Sequence, residues 1–180
     1  MKVNATKFEG VYLIENFNAE DDRGFFVKTY NEDCFRENGL CTDFKESFYS
    51  VSKKDTIRGM HFQLPPDDHV KLVYVIRGAI EDVLLDLRSE SKTYGESIQF
   101  DMDSRDRVSL YIPKGIAHGF KSTRDNATVV YNVSSVHNPE SDAGIKYDSF
   151  GHDWELKSPF LSHRDQSFIT FEAFKIINPF

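Results

Sequence analysis

Short runs of branched and aromatic residues, each closed by a turn, recur along most of this chain. They are VYLIENF (11–17), GFFVKTY (24–30), SFYSVS (47–52), TIRGMHFQ (56–63), VKLVYVI (70–76), AIEDVLLDLR (79–88), ESIQFDM (96–102), VSLYIP (108–113) and ATVVYNVSS (127–135). So many short strands with frequent turns predict an all-β sandwich or barrel. The 16 Phe and 8 Tyr point the same way, because aromatic rings pack well on pleated faces. Arg77–Gly78 lies between two apolar runs and predicts a hairpin over 70–88. NEDCFRENG (31–39) predicts a helix, with Asn31 as N-cap, Glu32 and Asp33 at its positive end and Gly39 at its C-terminal cap. After about residue 136 the alternation fades, which predicts turns and short helical pieces wrapped around the barrel. No repeat, low-complexity tract or linker marks a second domain, so residues 1–180 are expected to form one.

Charge and cysteine content narrow the function classes. Lys and Arg number 22 against 29 Asp and Glu, a net charge of −7 that argues against a nucleic-acid or anionic-membrane surface. An anionic small molecule would need local arginines and lysines to overcome that field. Cys34 and Cys41 form no metal-ligand pair or disulfide framework and read as free thiols of a reducing cytoplasm. MKVNATKFEG lacks the apolar core of a signal peptide, and no run reaches the ~18 apolar residues of a membrane span. A metal-binding β-barrel of the cupin kind would show His-x-His and a nearby Glu. Here His61 is followed by Phe62 and Gln63, so no metal is expected.

TIRGMHFQ sets an arginine and a histidine in an otherwise apolar strand. Burying such groups unpaired costs several kcal/mol, so they either face water or line a cavity. Three more stretches place ionisable groups beside strand formers: DDRGFF, VKLVYVIRG and IPKGIAHGF. Tyr131 in VVYNV and Asp165 in LSHRD are candidates to join them. Each has an ordinary reading. His61 reads equally as a hydrogen-bonded structural residue, Lys71 as a solvated edge charge, Tyr131 as a core ring, Asp165 as a helix cap, and 115–119 as a plain loop.

Taken together, these stretches resemble the dTDP-4-dehydrorhamnose 3,5-epimerases over nearly the whole chain. DDRGFF matches the family's Asp-x-Arg-Gly-x-Phe, and SVSKKDTIRGMHFQLPP its Ser-x-Ser and Arg-Gly-x-His-Phe-Gln. KLVYVIRGAIEDVLLDLR followed by SKTYG matches a long block, IPKGIAHGF its Ile-Pro-x-Gly-x-Ala-His-Gly-Phe, and LSHRD its Leu-Ser-x-x-Asp. The resemblance implies a jelly-roll (cupin-like) β-barrel with short peripheral helices, a homodimer without metal or organic cofactor, and a nucleotide-diphosphate 4-keto-6-deoxysugar as substrate. It implies a cytoplasmic isomerase feeding cell-surface sugars such as O-antigen. The C4 ketone of such a sugar acidifies the hydrogens at C3 and C5, so inversion needs a base, an acid on the opposite face and a cation at the enolate oxygen. By resemblance His61 is the base, Asp165 holds its ring and stabilises the imidazolium, Tyr131 is the acid and Lys71 stabilises the enolate. Asp82 and His118 support the pocket, and Arg23 and Arg58 bind the pyrophosphate. Strict alternation puts residues 58 and 61 on opposite faces, but Gly59 permits a bulge that would bring both to the site.

The nucleotide pocket departs from the pattern. Phe26 is followed by Val27–Lys28 where relatives carry a glutamate, Glu46–Ser47–Phe48 stands for Gln-Asp-Asn, and Val136–His137 stands for two aromatic residues. Lysine cannot accept from thymine N3–H, whereas Lys28 with Glu46 would suit cytosine or guanine. A CDP- or GDP-linked 4-keto-deoxysugar, inverted at one centre, is therefore a second reading. A non-catalytic sugar-nucleotide-binding cupin is a third, disfavoured by the intact base–acid set.

Overall fold

The structure is a computed structural model and describes residues 1–180. Thirteen strands form: β1 (Lys2–Ala5), β2 (Tyr12–Glu15), β3 (Phe17–Asp21), β4 (Gly24–Lys28), β5 (Glu46–Ser52), β6 (Ile57–Gln63), β7 (Lys71–Arg77), β8 (Ala79–Asp86), β9 (Ser97–Asp103), β10 (Val108–Ile112), β11 (Ile116–Ser122), β12 (Ala127–Val133) and β13 (Asp142–Gly144). Three short helices accompany them: α1 (Glu32–Glu37), α2 (His163–Gln166) and α3 (Phe171–Lys175). Two sheets face each other, one ordered β1-β2-β10-β7-β12-β5 and the other β13-β6-β11-β8-β9. Strands β3 and β4 pair only with each other and make a separate ribbon. The architecture is the all-β jelly roll with small peripheral helices.

Period-two alternation builds the layers. Val73 and Val75 of β7, Val129 of β12, Ile80 and Leu84 of β8 and Phe120 of β11 point between the sheets and form the central core. The opposite faces of β8 and β11 send Val83, Leu85 and Ala117 outward, under Trp154, Phe171 and Phe174 of the C-terminal segment. Outside the six-stranded sheet, Phe35 of α1 is fully buried with Ile14 and Leu72. Burying a ring of that size stabilises the fold by ~1.5–3 kcal/mol, far more than a six-residue helix gains from its own hydrogen bonds. Asn31 caps α1 by accepting from Cys34 N at 2.9 Å, and Gly39 follows it with φ +69°.

Two expectations need correction. The predicted hairpin over 70–88 does not exist: β7 lies in the six-stranded sheet and β8 in the five-stranded one. Gly78, at φ +75°, turns the chain from one sheet to the other where a Cβ would stand 2.9 Å from Ala127 Cα. Local apolarity suits both geometries, and the partners of each strand decide between them. Of the possible loop at 115–119, only Gly115 lies in a turn; Ile116–Gly119 begin β11, which pairs with both β6 and β8.

The C-terminal segment is tied down by buried charge. Lys121 Nζ bonds Glu81 at 2.6 Å and Trp154 O at 2.5 Å, while His152 meets the other Glu81 oxygen at 3.1 Å. Farther on, Ile57 N donates to Phe160 O at 3.1 Å, which sets residues 160–169 beside β6.

Candidate active site

Between the open ends of the two sheets lies a cavity of about 520 Å³, and His61, Lys71, His118 and Tyr131 line it. Its position follows from one irregularity in β6. His61 pairs with His118, but Arg58 pairs with Phe120, so β6 spends one residue more than β11 over the same span. Such a bulge reverses the alternation. Ile57 and Met60 therefore share the outer cluster, while Arg58 and His61 both face the cavity. The sequence requirement is glycine on both strands: a Cβ on Gly59 would meet Gly119 Cα at 2.5 Å, and one on Gly119 would meet Gly59 Cα at 3.2 Å.

His61 Nε2 lies 2.7 Å from Asp165 Oδ1. An ionised carboxylate can only accept, so Nε2 carries the hydrogen and the lone pair sits on Nδ1. Asp165 is in α2, where the Ser162 side chain caps the helix by accepting from Asp165 N at 3.0 Å. Phe168 meets the His61 ring edge-on at 5.6 Å and packs on Gly144, where no Cβ would fit. Burial opposes charge on Asp165, but hydrogen bonds from His61, Gly59 N and Ser162 outweigh it and hold its pKa below the usual carboxylate value. Burial has the largest effect on His61 and, although Asp165 raises its proton affinity as a carboxylate partner should, the pKa falls below the ordinary histidine value. The resting imidazole is thus neutral near pH 7, as a base must be.

On the facing sheet, burial pushes the Tyr131 phenol well above its ordinary pKa, so it holds its proton. Lys71 Nζ reaches across to donate to His61 O at 2.9 Å. Burial lowers Lys71 to about 8, partly offset by Asp82. It remains largely a cation at neutral pH. His118 Nε2 is held by Asp82 Oδ2 at 2.7 Å.

Arg58 lines the cavity with Nε bonded to Ser52 Oγ at 3.0 Å, and Glu46, Phe48 and His137 line it too. Arg23, Phe26 and Lys28 do not. They belong to the β3–β4 ribbon, where Phe26 is 58% exposed, Arg23 pairs with Asp21 at 2.5 Å and Lys28 lies over Phe17. The ribbon pairs with no third strand. Lys28 therefore lies outside the cavity wall to which Glu46 belongs.

Several lining residues escaped the sequence reading: Gln63, His69, Ser135, Asp142 and Arg164. Alternation could have found most of them, since 63 follows 61, 69 precedes 71, and 133 and 135 follow 131 on the same face. Burial lowers His69 to about 3, so it stays neutral, its Nδ1 facing Gln63 Nε2 at 3.2 Å. Arg164 is bonded to Asp142 at 2.6 Å. No three His, Cys, Asp or Glu side chains converge as a metal-ligand set.

A neutral imidazole on one wall, a protonated phenol on the facing wall and a buried ammonium are groups that a carbon-acid isomerase requires. Comparison with known proteins narrows this class. The family profile described as dTDP-4-dehydrorhamnose 3,5-epimerase matches residues 5–173. The chain belongs to that family, and it is an epimerase of the isomerase class, consistent with action on a dTDP-4-keto-6-deoxysugar. It is similar to the dTDP-4-dehydrorhamnose 3,5-epimerase of Methanothermobacter thermautotrophicus, 41% identical over 154 residues that cover 84% of this chain and 83% of the relative. Among solved structures it is similar to the Bacillus anthracis enzyme with TDP and PPi bound, at TM-score 0.91 and 34% identity, covering 94% of this chain and 99% of that one. It is also similar to a 3'-monoepimerase from Streptomyces bikiniensis in complex with dTDP-quinovose, at TM-score 0.90 and 27% identity, covering 97% of this chain and 90% of that one.

Proposed function

We propose that the enzyme inverts C3 and C5 of a dTDP-linked 4-keto-6-deoxysugar through an enolate. The observation that carries this reading is the His61–Asp165 pair on β6 facing Tyr131 on β12 across a cavity that also holds Lys71. His61 Nδ1 takes the hydrogen beside the C4 ketone, and the C–H electrons form the enolate. Lys71 stabilises its oxygen, now negative in a site of low dielectric. Tyr131 returns a proton to the other face, the carbonyl re-forms, the phenolate regains its proton from solvent and the His61 imidazolium releases its own to solvent. Asp165 keeps the base in the tautomer that exposes Nδ1 and stabilises the imidazolium once formed.

Arg58 supplies a guanidinium for the diphosphate. The ribbon supplies Arg23, Phe26 and Lys28 to the cavity of a second copy, which makes the working form a homodimer. Three phenylalanines on the ribbon, Phe17, Phe25 and Phe26, are 50%, 65% and 58% exposed, as expected of an arm that buries its apolar face against a partner. The enzyme is assigned to the cytoplasm, and its product to the precursors of cell-surface deoxysugars.

Solvent deuterium incorporation followed by NMR tests the reading, with dTDP-, CDP- and GDP-linked 4-keto-6-deoxyglucose offered in parallel. Deuterium at both C3 and C5 of the dTDP substrate is expected. Label at one carbon makes this a single-centre epimerase, preference for CDP or GDP changes the nucleotide, and no exchange with any substrate overturns the catalytic reading.

A further inference from the structure

Strand register sets Phe48 of β5 directly opposite Tyr131 of β12. The two rings are stacked, with centroids 4.9 Å apart and planes at 17°. His118, fixed by Asp82, meets Tyr131 edge-on at 5.9 Å and 62°. The Ser50 hydroxyl beside the phenol oxygen lowers its pKa against the larger effect of burial, but the Ser50 oxygen has no partner of full hydrogen-bond geometry. The stack is therefore the best-defined contact on this acid.

Phe48 is not needed to fill the core. It lies outside all three buried clusters, on an edge strand at the cavity mouth, and is 49% exposed. A large half-exposed ring at that place calls for a local reason, and the stack supplies one. Cross-strand aromatic pairs also add ~0.2–1 kcal/mol, enough to bias one side-chain orientation over its alternatives.

We infer that Phe48 is a positioning residue that holds the Tyr131 phenol against the sugar ring, so that the enolate is reprotonated from the Tyr131 face rather than returned to its starting configuration. The inference rests on Tyr131 being the acid. With the stack intact, the enolate carbon takes the phenolic hydrogen, the C4–O π bond re-forms, and phenolate remains. With the ring free to swing, that transfer slows. The enolate then recovers a proton from the His61 imidazolium on the original face, and this proton has had time to exchange with solvent.

The measurement is made on the intact enzyme in D₂O with the dTDP-4-keto sugar, comparing deuterium in recovered substrate with deuterium in inverted product. Phe48→Leu removes the flat face and keeps apolar bulk. It should raise that ratio about tenfold, within the ~10² effect of misplacing a reacting group by on the order of 1 Å. Phe48→Tyr keeps the face and should restore the wild-type ratio, which a purely structural role does not require. Tyr131→Phe should raise the ratio further. If it does not, Tyr131 is not the acid and the reading beneath the inference fails. If Tyr131→Phe moves the ratio and Phe48→Leu leaves it unchanged, the positioning role is overturned. Thermal melting checks folding, and Phe48→Met serves as a second truncation. If neither truncated variant folds, Phe48 is a packing residue and the inference is also overturned.

Discussion

The cavity wall and the β3–β4 ribbon both carry charged and aromatic side chains, but they hold them in opposite ways. In the cavity, Lys71, Asp82, His118 and Asp165 are buried, and each is bonded to another protein group at 2.7–2.9 Å. On the ribbon, Arg23 pairs only with its near neighbour Asp21, and the phenylalanines face outward. An exposed pair of that kind contributes little to stability. Chemistry at a carbon acid needs groups fixed before the substrate arrives, since reorganising them would add to the barrier. Groups that grip a diphosphate or a base can be delivered on an arm, because binding can supply the ordering.

The largest expected effect tests the cavity half of this contrast. His61→Asn should lower kcat by ~10²–10⁴-fold and abolish solvent exchange at C3 and C5. Retained exchange would remove the base from the proposed scheme. Lys71→Met should cost ~10²–10³-fold, the usual loss for one group stabilising an oxyanion.

The same buried groups set the pH dependence. Activity should fall on the acid side below the ordinary histidine pKa, as His61 takes a proton, and on the alkaline side as Lys71 loses its proton near pH 8. Stability should move the other way on the alkaline side. Lys71 has a folded pKa of about 8 against an ordinary 10.5, so between them the unfolded chain binds more protons. The Lys71 contribution to unfolding free energy therefore rises with pH across that window. A pH–rate profile beside melting curves of wild type and Lys71→Met checks both signs.

Two glycines sharpen the contrast at the level of packing. Gly59 and Gly24 both have positive φ, at +132° and +117°. An added Cβ at Gly59 would strike Gly119, whereas at Gly24, in the ribbon turn, it would find nothing within 4 Å. Gly59→Ala should therefore destabilise by about 2–4 kcal/mol, combining backbone strain with overpacking, and Gly24→Ala by only about 1–2 kcal/mol, from strain alone. Equal losses by denaturant titration would contradict the distinction.

The smallest effect belongs to the ribbon's attachment. Arg107 joins it to the body through Asn18 Oδ1 at 2.9 Å, Glu20 Oε2 at 2.8 Å and the face of Phe25 at 4.8 Å. Arg107→Ala should raise KM about tenfold, the cost of roughly one charge-assisted contact, with kcat and melting temperature nearly unchanged. A fall in kcat without a change in KM would mean that the arm takes part in the chemistry.

Period-two alternation made most strands legible, and the motifs singled out His61, Asp165, Tyr131 and Lys71, which the fold brings to one place. Strands β1, β3, β11 and β13 were not legible: β1 and β13 are only three or four residues long, β3 is exposed throughout, and β11 is buried on both faces, so none shows a clear alternation. The motif grouped the ribbon residues with the nucleotide, but the fold sets them outside the cavity of their own chain, a separation that local sequence does not encode. Asp165 shows the same limit in reverse. It is 104 positions from His61, and only the wrap of residues 160–169 along β6 brings the two together.

What the sequence determined by itself was therefore local: which segments extend, which faces are apolar, and which side chains can move a proton. Tertiary structure decided the rest. The exchange of partners at Gly78, the one-residue bulge that turns Arg58 and His61 to the same side, and the burial that leaves His61 neutral all depend on atoms far away in the chain. Pairing and desolvation are properties of the packed neighbourhood, and no residue carries its neighbourhood in its own identity.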